Sequence, residues 1–278
     1  MYIRIMLLFI LSHFICDFIF QGEKILELRA SKIFKINIVG NVVHSLIHLI
    51  NMFFILSIYY IYDPSILYYN HCCLVIAFFH LVFDEMKTII VITKPSLGNS
   101  AILFLIDQLL HFLVIVLSIL KYHNSSLQED ITYIIKEYPS SINIFDKYII
   151  ILIVFICSTW VTGIFIHKYI ENLNLKHYKG LIDNRFIIIK KTGCVYLGTK
   201  NGGFIIGILE RIFILIVMCI GQPQMIGFVL TAKSIARFKK LDDSSFAEYF
   251  IMGTFLSFIM AIIGGIIIKS LNVIPIIK

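Results

Sequence analysis

Long runs of Ile, Leu, Phe and Val, broken by short polar stretches, dominate this 278-residue chain. The runs cover roughly 4–20, 36–62, 71–92, 100–120, 148–169, 204–220, 224–237 and 249–269. Most reach the ~20 residues that an α-helix needs to cross a bilayer. Helices satisfy their own backbone groups in lipid, so the pattern predicts an all-α, polytopic membrane bundle of about eight transmembrane helices. The seventh run is short and is expected to be tilted or re-entrant. Three regions follow: 1–120, a four-helix membrane bundle; 121–203, connecting loops with one transmembrane helix; and 204–278, a second membrane bundle. Within the middle region, 121–147 reads as a polar loop with a short amphipathic piece. The basic stretch 171–203 has a hairpin signal in Phe186–Ile189, Thr192-Gly193 and Gly198.

The polar residues inside the first four runs are not scattered. They come as His13/Asp17, His44/His48, His80/Asp84 and Asp107/His111, each spaced i,i+4. On a helix that spacing puts both side chains on one face, with Cβ atoms about 5–6 Å apart. The first four runs are therefore expected to form a His/Asp-lined bundle.

Charge sets the topology. The connections 21–35, 87–99, 168–203 and 237–248 hold 16 of the 24 Lys and Arg residues, and the opposite connections and ends hold 6. The positive-inside rule places the first set in the cytoplasm and both termini outside. Alternating helix directions then require pairs late in runs one and three and early in runs two and four, which is where they stand. At about 1.5 Å per residue all eight side chains lie roughly 5–18 Å from the cytoplasmic ends, so they can meet at one level.

Composition agrees: 59% of residues are hydrophobic and only 15% are charged, unlike a soluble domain. Membrane topology explains the net charge of +7 without nucleic acid, and no nucleic-acid partner is expected. The localisation expected is integral membrane, in a bacterial plasma membrane. Arg4 ahead of an apolar run resembles a signal peptide, but no small-x-small cleavage site follows, and cleavage would discard His13 and Asp17. Cysteines 16, 72, 73, 157, 194 and 219 form no CxxC pair and read as small structural hydrophobes. The Cys72-Cys73 doublet has no explanation at this level.

A charged side chain at the bilayer centre costs about 2.5–3.5 kcal/mol on insertion scales. Asp17, Asp84 and Asp107 therefore need partners, water or a metal. Asp and neutral His are ligands for zinc, manganese or iron, and helical bundles carry dinuclear sites built from such ligands. The expected ligand pool is His13, Asp17, His44, His48, His80, Asp84, Asp107 and His111, enough for two divalent ions, with zinc first. Gln21 and Gln108 are expected to support the ligands. Lys87, one turn beyond Asp84, neutralises a carboxylate, holds an anion or snorkels to the surface. Glu85 points about 100° away from Asp84, and His71, His123, His167 and His177 fall at boundaries or in loops. A lone intramembrane His is ordinarily a hydrogen-bonded packing residue, and a single His/Asp pair fits a structural bond or proton relay equally well. It is the fourfold repetition that carries the metal reading.

The last region holds Glu210, Arg211, Lys233 and Arg237. They read either as a salt-bridge network tying the bundle together or as an anion site. Gly202, Gly203 and Gly207 permit close approach there. No Walker loop or nucleophile elbow is present.

With these motifs in hand, the chain resembles an uncharacterised bacterial family of integral membrane proteins, known only as a domain of unknown function. The resemblance rests on His13-x3-Asp17-Phe18-x2-Gln21, His44-x3-His48, His80-x3-Asp84-x2-Lys87 and Asp107-Gln108-x2-His111. It continues through Gly203-x2-Ile206-Gly207-x-Leu209-Glu210-Arg211, Ile226-Gly227-Phe228, Lys233-Ser234-Ile235-Ala236-Arg237-Phe238 and Glu248-Tyr249-Phe250, nearly the whole chain. It implies no activity. A looser likeness, in ligand style alone, is to metal-dependent hydrolases of the phospholipase C and P1 nuclease group.

The expected function is a membrane-embedded, metal-dependent hydrolase. Asp17, Asp84 or Asp107 would act as base, and Lys87 or Arg211 would hold an anionic substrate. Membrane lipids are expected partners, and the substrate a phosphorylated or amphiphilic molecule reached from the cytoplasmic side. The alternatives are a metal-ion or proton transporter, and a non-catalytic scaffold or sensor with a structural metal.

Overall fold

The computed structural model describes residues 2–121, 138–183, 202–242 and 244–273, with isolated positions between 129 and 136. The hairpin expected at Phe186–Ile189 lies outside the described residues, as do Cys194 and most of the loop after residue 121. The described residues are helical, and none of them forms a strand.

The first unit begins with α1 (Tyr2–Ile15), which widens into a π-turn at Cys16–Phe20. It continues with α2 (Glu23–Arg29), α3 (Phe34–Tyr60), α4 (Asn70–Thr93) and α5 (Ala101–Leu120). Then come α6 (Ile144–Ile156), a second π-turn at Cys157–Val161 and α7 (Thr162–Asp183). Last are α8 (Gly202–Cys219), α9 (Met225–Ala236) and α10 (Ser244–Ser270). Every apolar run named above is therefore helical.

Five of these helical stretches are long and apolar enough to cross a membrane: α3, α5, Ile144–Leu173, α8 and Phe246–Ser270. A sixth exists if Tyr2–Phe18 and Glu23–Arg29, bent by 85°, count as one broken span. The other two runs fall short for different reasons. Helix α4 is long enough, but Asp84, Glu85 and Lys87 crowd its apolar sequence. Helix α9 has 12 residues, about 18 Å at 1.5 Å per residue, too short for the hydrocarbon core.

The chain divides into two compact units, Met1–Gly98 with Ile102–Ile153 and Asn99–Ala101 with Val154–Lys278. In the first, the polar and apolar layers are segregated along the helices. Ile5 and Phe9 of α1, Met52 and Leu56 of α3, Cys72, Cys73 and Ile76 of α4, and Ile115 and Ile119 of α5 form one buried cluster. The cysteine doublet is thus accounted for: both thiols are fully buried, and Cys72 Sγ lies 3.4 Å from the Ser118 carbonyl. In each of these four helices the His/Asp pair lies on the same side of this apolar layer. On its other side, Arg4 pairs with Asp146 at 2.5 Å and donates to the Tyr59 hydroxyl at 2.8 Å. In the second unit, Ile214, Phe258 and Ala261 form the buried apolar centre.

Helix α2 folds back onto α3, and Gly40 makes that approach possible. A Cβ at Gly40 would stand 2.7 Å from the Arg29 backbone nitrogen and 2.9 Å from the Leu28 carbonyl carbon. In open helix, Gly→Ala stabilises by up to about 1 kcal/mol. Here the clash is with backbone and reverses the sign. Gly40→Ala is expected to lower stability by about 1–3 kcal/mol, read as a drop in the thermal midpoint in detergent; a raised midpoint would show that α2 does not pack there.

Candidate metal centre

Asp17 lies in the π-turn that ends α1. Such turns widen the backbone by one residue and recur at functional sites. Its carboxylate is where three helices converge. His44 Nε2 and His48 Nε2 of α3 each lie 3.0 Å from Asp17 Oδ1, and His80 Nε2 of α4 lies 3.4 Å from the same oxygen. His13 Nε2 is 3.6 Å from Oδ2. Gln108 of α5 donates to Oδ2 at 3.0 Å, and its own oxygen lies 3.3 Å from His13 Nε2.

The i,i+4 spacing explains the rest. His80 Nδ1 stands 3.1 Å from Asp84 Oδ2 on α4, and His111 Nε2 stands 3.6 Å from Asp107 Oδ1 on α5. The two pairs face each other: the His80 and His111 rings stack with centroids 4.1 Å apart, and His48 and His80 centroids are 3.8 Å apart. All five histidines, Asp84 and Asp107 are at least 95% buried. The structure therefore brings all eight ligand candidates into one cluster.

Three donor sets arise, each with ligand atoms within 4.8 Å of one another: His13/Asp17/His48/His80, His44/His80/Asp84 and Asp84/Asp107/His111. The first and third share no residue; the second joins them through His80 and Asp84. His80 Nε2, Asp84 Oδ2 and His111 Nε2 are buried and, although polar neighbours stand 3.1–3.6 Å away, make no hydrogen bond of good geometry. Buried polar atoms are rarely left that way, and these three are of the right type to ligate a divalent cation. On this count the donor set fits such an ion.

Each aspartate on α4 and α5 is held from outside the histidine cluster by a cation. Arg29 Nη2 of α2 lies 2.5 Å from Asp84 Oδ1, and Lys87 Nζ lies 2.5 Å from Asp107 Oδ2. One oxygen of each is thereby fixed and the other turned toward the histidines, the arrangement by which neighbouring groups orient metal ligands. Lys87 thus meets Asp107 rather than the nearer-in-sequence Asp84. Gln21, with its amide oxygen on Arg29, donates to the Asp17 carbonyl at 3.1 Å.

Arg29 is the residue that the sequence reading missed. It falls in a basic connection and counts there only toward topology. Asn41 was missed with it: its oxygen accepts from Arg29 Nε at 2.8 Å, and its amide donates to Glu85 Oε2 at 2.7 Å. Glu85 therefore points away from the histidines, into this outer network. Asn41 lies three residues before His44, on the same face of α3, which was the available signal.

Glu210, Arg211, Lys233 and Arg237 belong to the second unit, where they line a cavity of their own with Gly203 and Gly207. Lys233 Nζ is 2.7 Å from Glu210 Oε2. His167, exposed, lies 3.3 Å from Glu171, and His71 is exposed on α4. His123 and the side chain of His177 lie outside the described residues.

Residues 5–138 match the model of a family described as Protein of unknown function (DUF3307). The match contains the whole histidine–aspartate cluster and ends before the motifs that begin at Gly203. No curated protein and no solved structure matches the chain.

Arg29→Met would leave Asp84 buried without its cation. Removing one partner of a buried ion pair costs about 3–5 kcal/mol, so the thermal midpoint should fall clearly. Adding Asp84→Asn should recover much of that loss. Strict additivity of the two changes would rule out the pairing as a source of stability.

Proposed function

Taking residues 5–138 as the domain that carries the chemistry, we propose a membrane-embedded hydrolase using two divalent metal ions, zinc first, on a phosphoester or lipid-like substrate. The observation that carries this reading is the pair of disjoint donor sets, His13/Asp17/His48/His80 and Asp84/Asp107/His111, joined through a third that uses His80 and Asp84. One set would hold each ion. When bound, two such ions supply Lewis acidity at the scissile group and acidify a water toward neutral pH.

The remaining roles fall to this chain's own side chains. Asp84 Oδ2, with Oδ1 fixed on Arg29, is the carboxylate oxygen best placed to take a proton. Lys87 positions Asp107, and its side chain, 29% exposed, places positive charge at the edge of the cluster for an anionic head group. His44 and Gln108 orient Asp17. The buried layer of Ile5, Phe9, Met52, Leu56 and Ile119 favours access from one side only, which supports a hydrolase over a through-route for ions. Eight membrane-embedded segments, the first four forming the bundle and the site facing the cytoplasm of a bacterial plasma membrane, complete the reading.

Elemental mass spectrometry on protein purified without chelator tests it directly. The intact chain should carry about two divalent ions. His111→Ala, which removes a member of one set only, should retain about one. Asp84→Asn should abolish phosphoester and lipid hydrolysis while the protein remains folded. Metal-free wild type, or full turnover by Asp84→Asn, would overturn the proposal; metal uptake into proteoliposomes without turnover would replace it with transport.

A further inference from the structure

The second unit contains a buried guanidinium with no ion pair among the described residues. Arg211, 3% exposed, lies within α8, a helix apolar enough to cross a membrane. Its Nε donates to the Thr159 carbonyl at 3.0 Å and its Nη1 to the Ser257 hydroxyl at 3.1 Å. Thr159 sits in the π-turn Cys157–Val161, and its carbonyl also accepts from the Thr162 backbone N–H. Arg211 Nη2 is buried with no partner, and among the described residues no carboxylate lies within ion-pair distance of the guanidinium. The adjacent Glu210 is spent on Lys233.

Space around this guanidinium is kept open by glycine. A Cβ at Gly163 would stand 2.7 Å from Arg211 Nη2, and one at Gly207 would stand 3.0 Å from Nη1. Arg211 forms part of the wall of a cavity of about 440 Å³ that also takes in Lys233, Arg237, Thr254 and Phe250. Among the described residues Arg237 has no carboxylate partner either; its guanidinium lies 5.7 Å from the Phe250 ring centroid. Thr254, 3% exposed, leaves its hydroxyl oxygen without a hydrogen bond. Two guanidiniums without an ion-pair partner among the described residues, an unpaired hydroxyl and an aromatic wall share one cavity, whose lining also includes Glu171 and the Lys233-paired Glu210.

An uncompensated charge in an apolar helix is expensive, and guanidinium groups match the oxygens of a phosphate with paired N–H donors. The cavity exceeds the size of a bare phosphate and is lined by aromatic rings as well as cations. We propose that the second unit binds a phosphate group in this cavity, held by Arg211 and Arg237, with Thr254 donating to it. Its source is either a phospholipid head group or free phosphate. This site is separate from the histidine cluster and does not depend on its chemistry.

The test uses the full chain in neutral detergent micelles, titrated with phosphatidic acid, with phosphatidylcholine as control, and separately with inorganic phosphate. Thermal shift and native mass spectrometry provide the readouts. Phosphatidic acid should raise the thermal midpoint and remain bound at about one per chain. A shift with lipid alone assigns the source as a head group; a shift with inorganic phosphate as well assigns the free anion. Arg237→Gln should weaken binding about tenfold or more while leaving the Thr159 and Ser257 contacts of Arg211 in place, so it should fold even if Arg211→Gln does not. Gly163→Ala, which crowds Nη2, should weaken it also. No response to either phosphate source, or equal binding by wild type and Arg237→Gln, would overturn the proposal.

Discussion

Asp84, Asp107, Asp146 and Glu210 share one constraint: a carboxylate carried on an apolar helix needs a counter-charge inside the fold. Water is not there to hydrate it, and the penalty for an unpaired ion exceeds what packing nearby returns. Asp84 is held by Arg29, Asp107 by Lys87, Asp146 by Arg4 and Glu210 by Lys233. Each pair ties together segments distant in sequence, so electrostatics fixes which helix faces which. The apolar residues then only have to fill the space, which explains how a core so rich in Ile and Leu settles into one register.

The same constraint gives the two π-turns a common sense. One ends α1 and contains Asp17; the other follows α6 and offers the Thr159 carbonyl to Arg211. The Thr159 carbonyl accepts from both the Thr162 N–H and Arg211, so a π-turn in each case places an oxygen within reach of a neighbouring helix without a loop. Both polar centres are thus built from helices that deviate locally instead of unfolding.

Layering decides what the histidine cluster can reach. Along α1, α3, α4 and α5 the polar residues occupy one stretch and the fully buried apolar residues the next. Arg29 and Lys87 rim the polar layer, while Arg4, Tyr59 and Asp146 close the far side beyond the apolar one. A cluster with charged groups at one edge and a dry layer at the other is suited to chemistry at a surface. The outer network of Arg29, Asn41 and Glu85 braces the side of the cluster where Asp84 stands.

The sequence by itself determined the helices and which His and Asp side chains share a helix face. Apolar runs of membrane length can only be helices, and a residue repeated at i,i+4 must share a face, so the meeting of His13, Asp17, His44, His48, His80, Asp84, Asp107 and His111 was legible before any coordinates. The tertiary structure alone decided the partners. That Arg29 reaches Asp84 depends on an 85° bend after Phe18 and on how α2 lies against Gly40; that Lys87 passes over Asp84 for Asp107 is decided between α4 and α5. Which of the apolar helices is long and clean enough to cross a membrane also depended on where each one starts and stops. Periodicity describes one helix at a time; long side chains such as Arg and Lys reach across helices, and only packing sets the distance they must span.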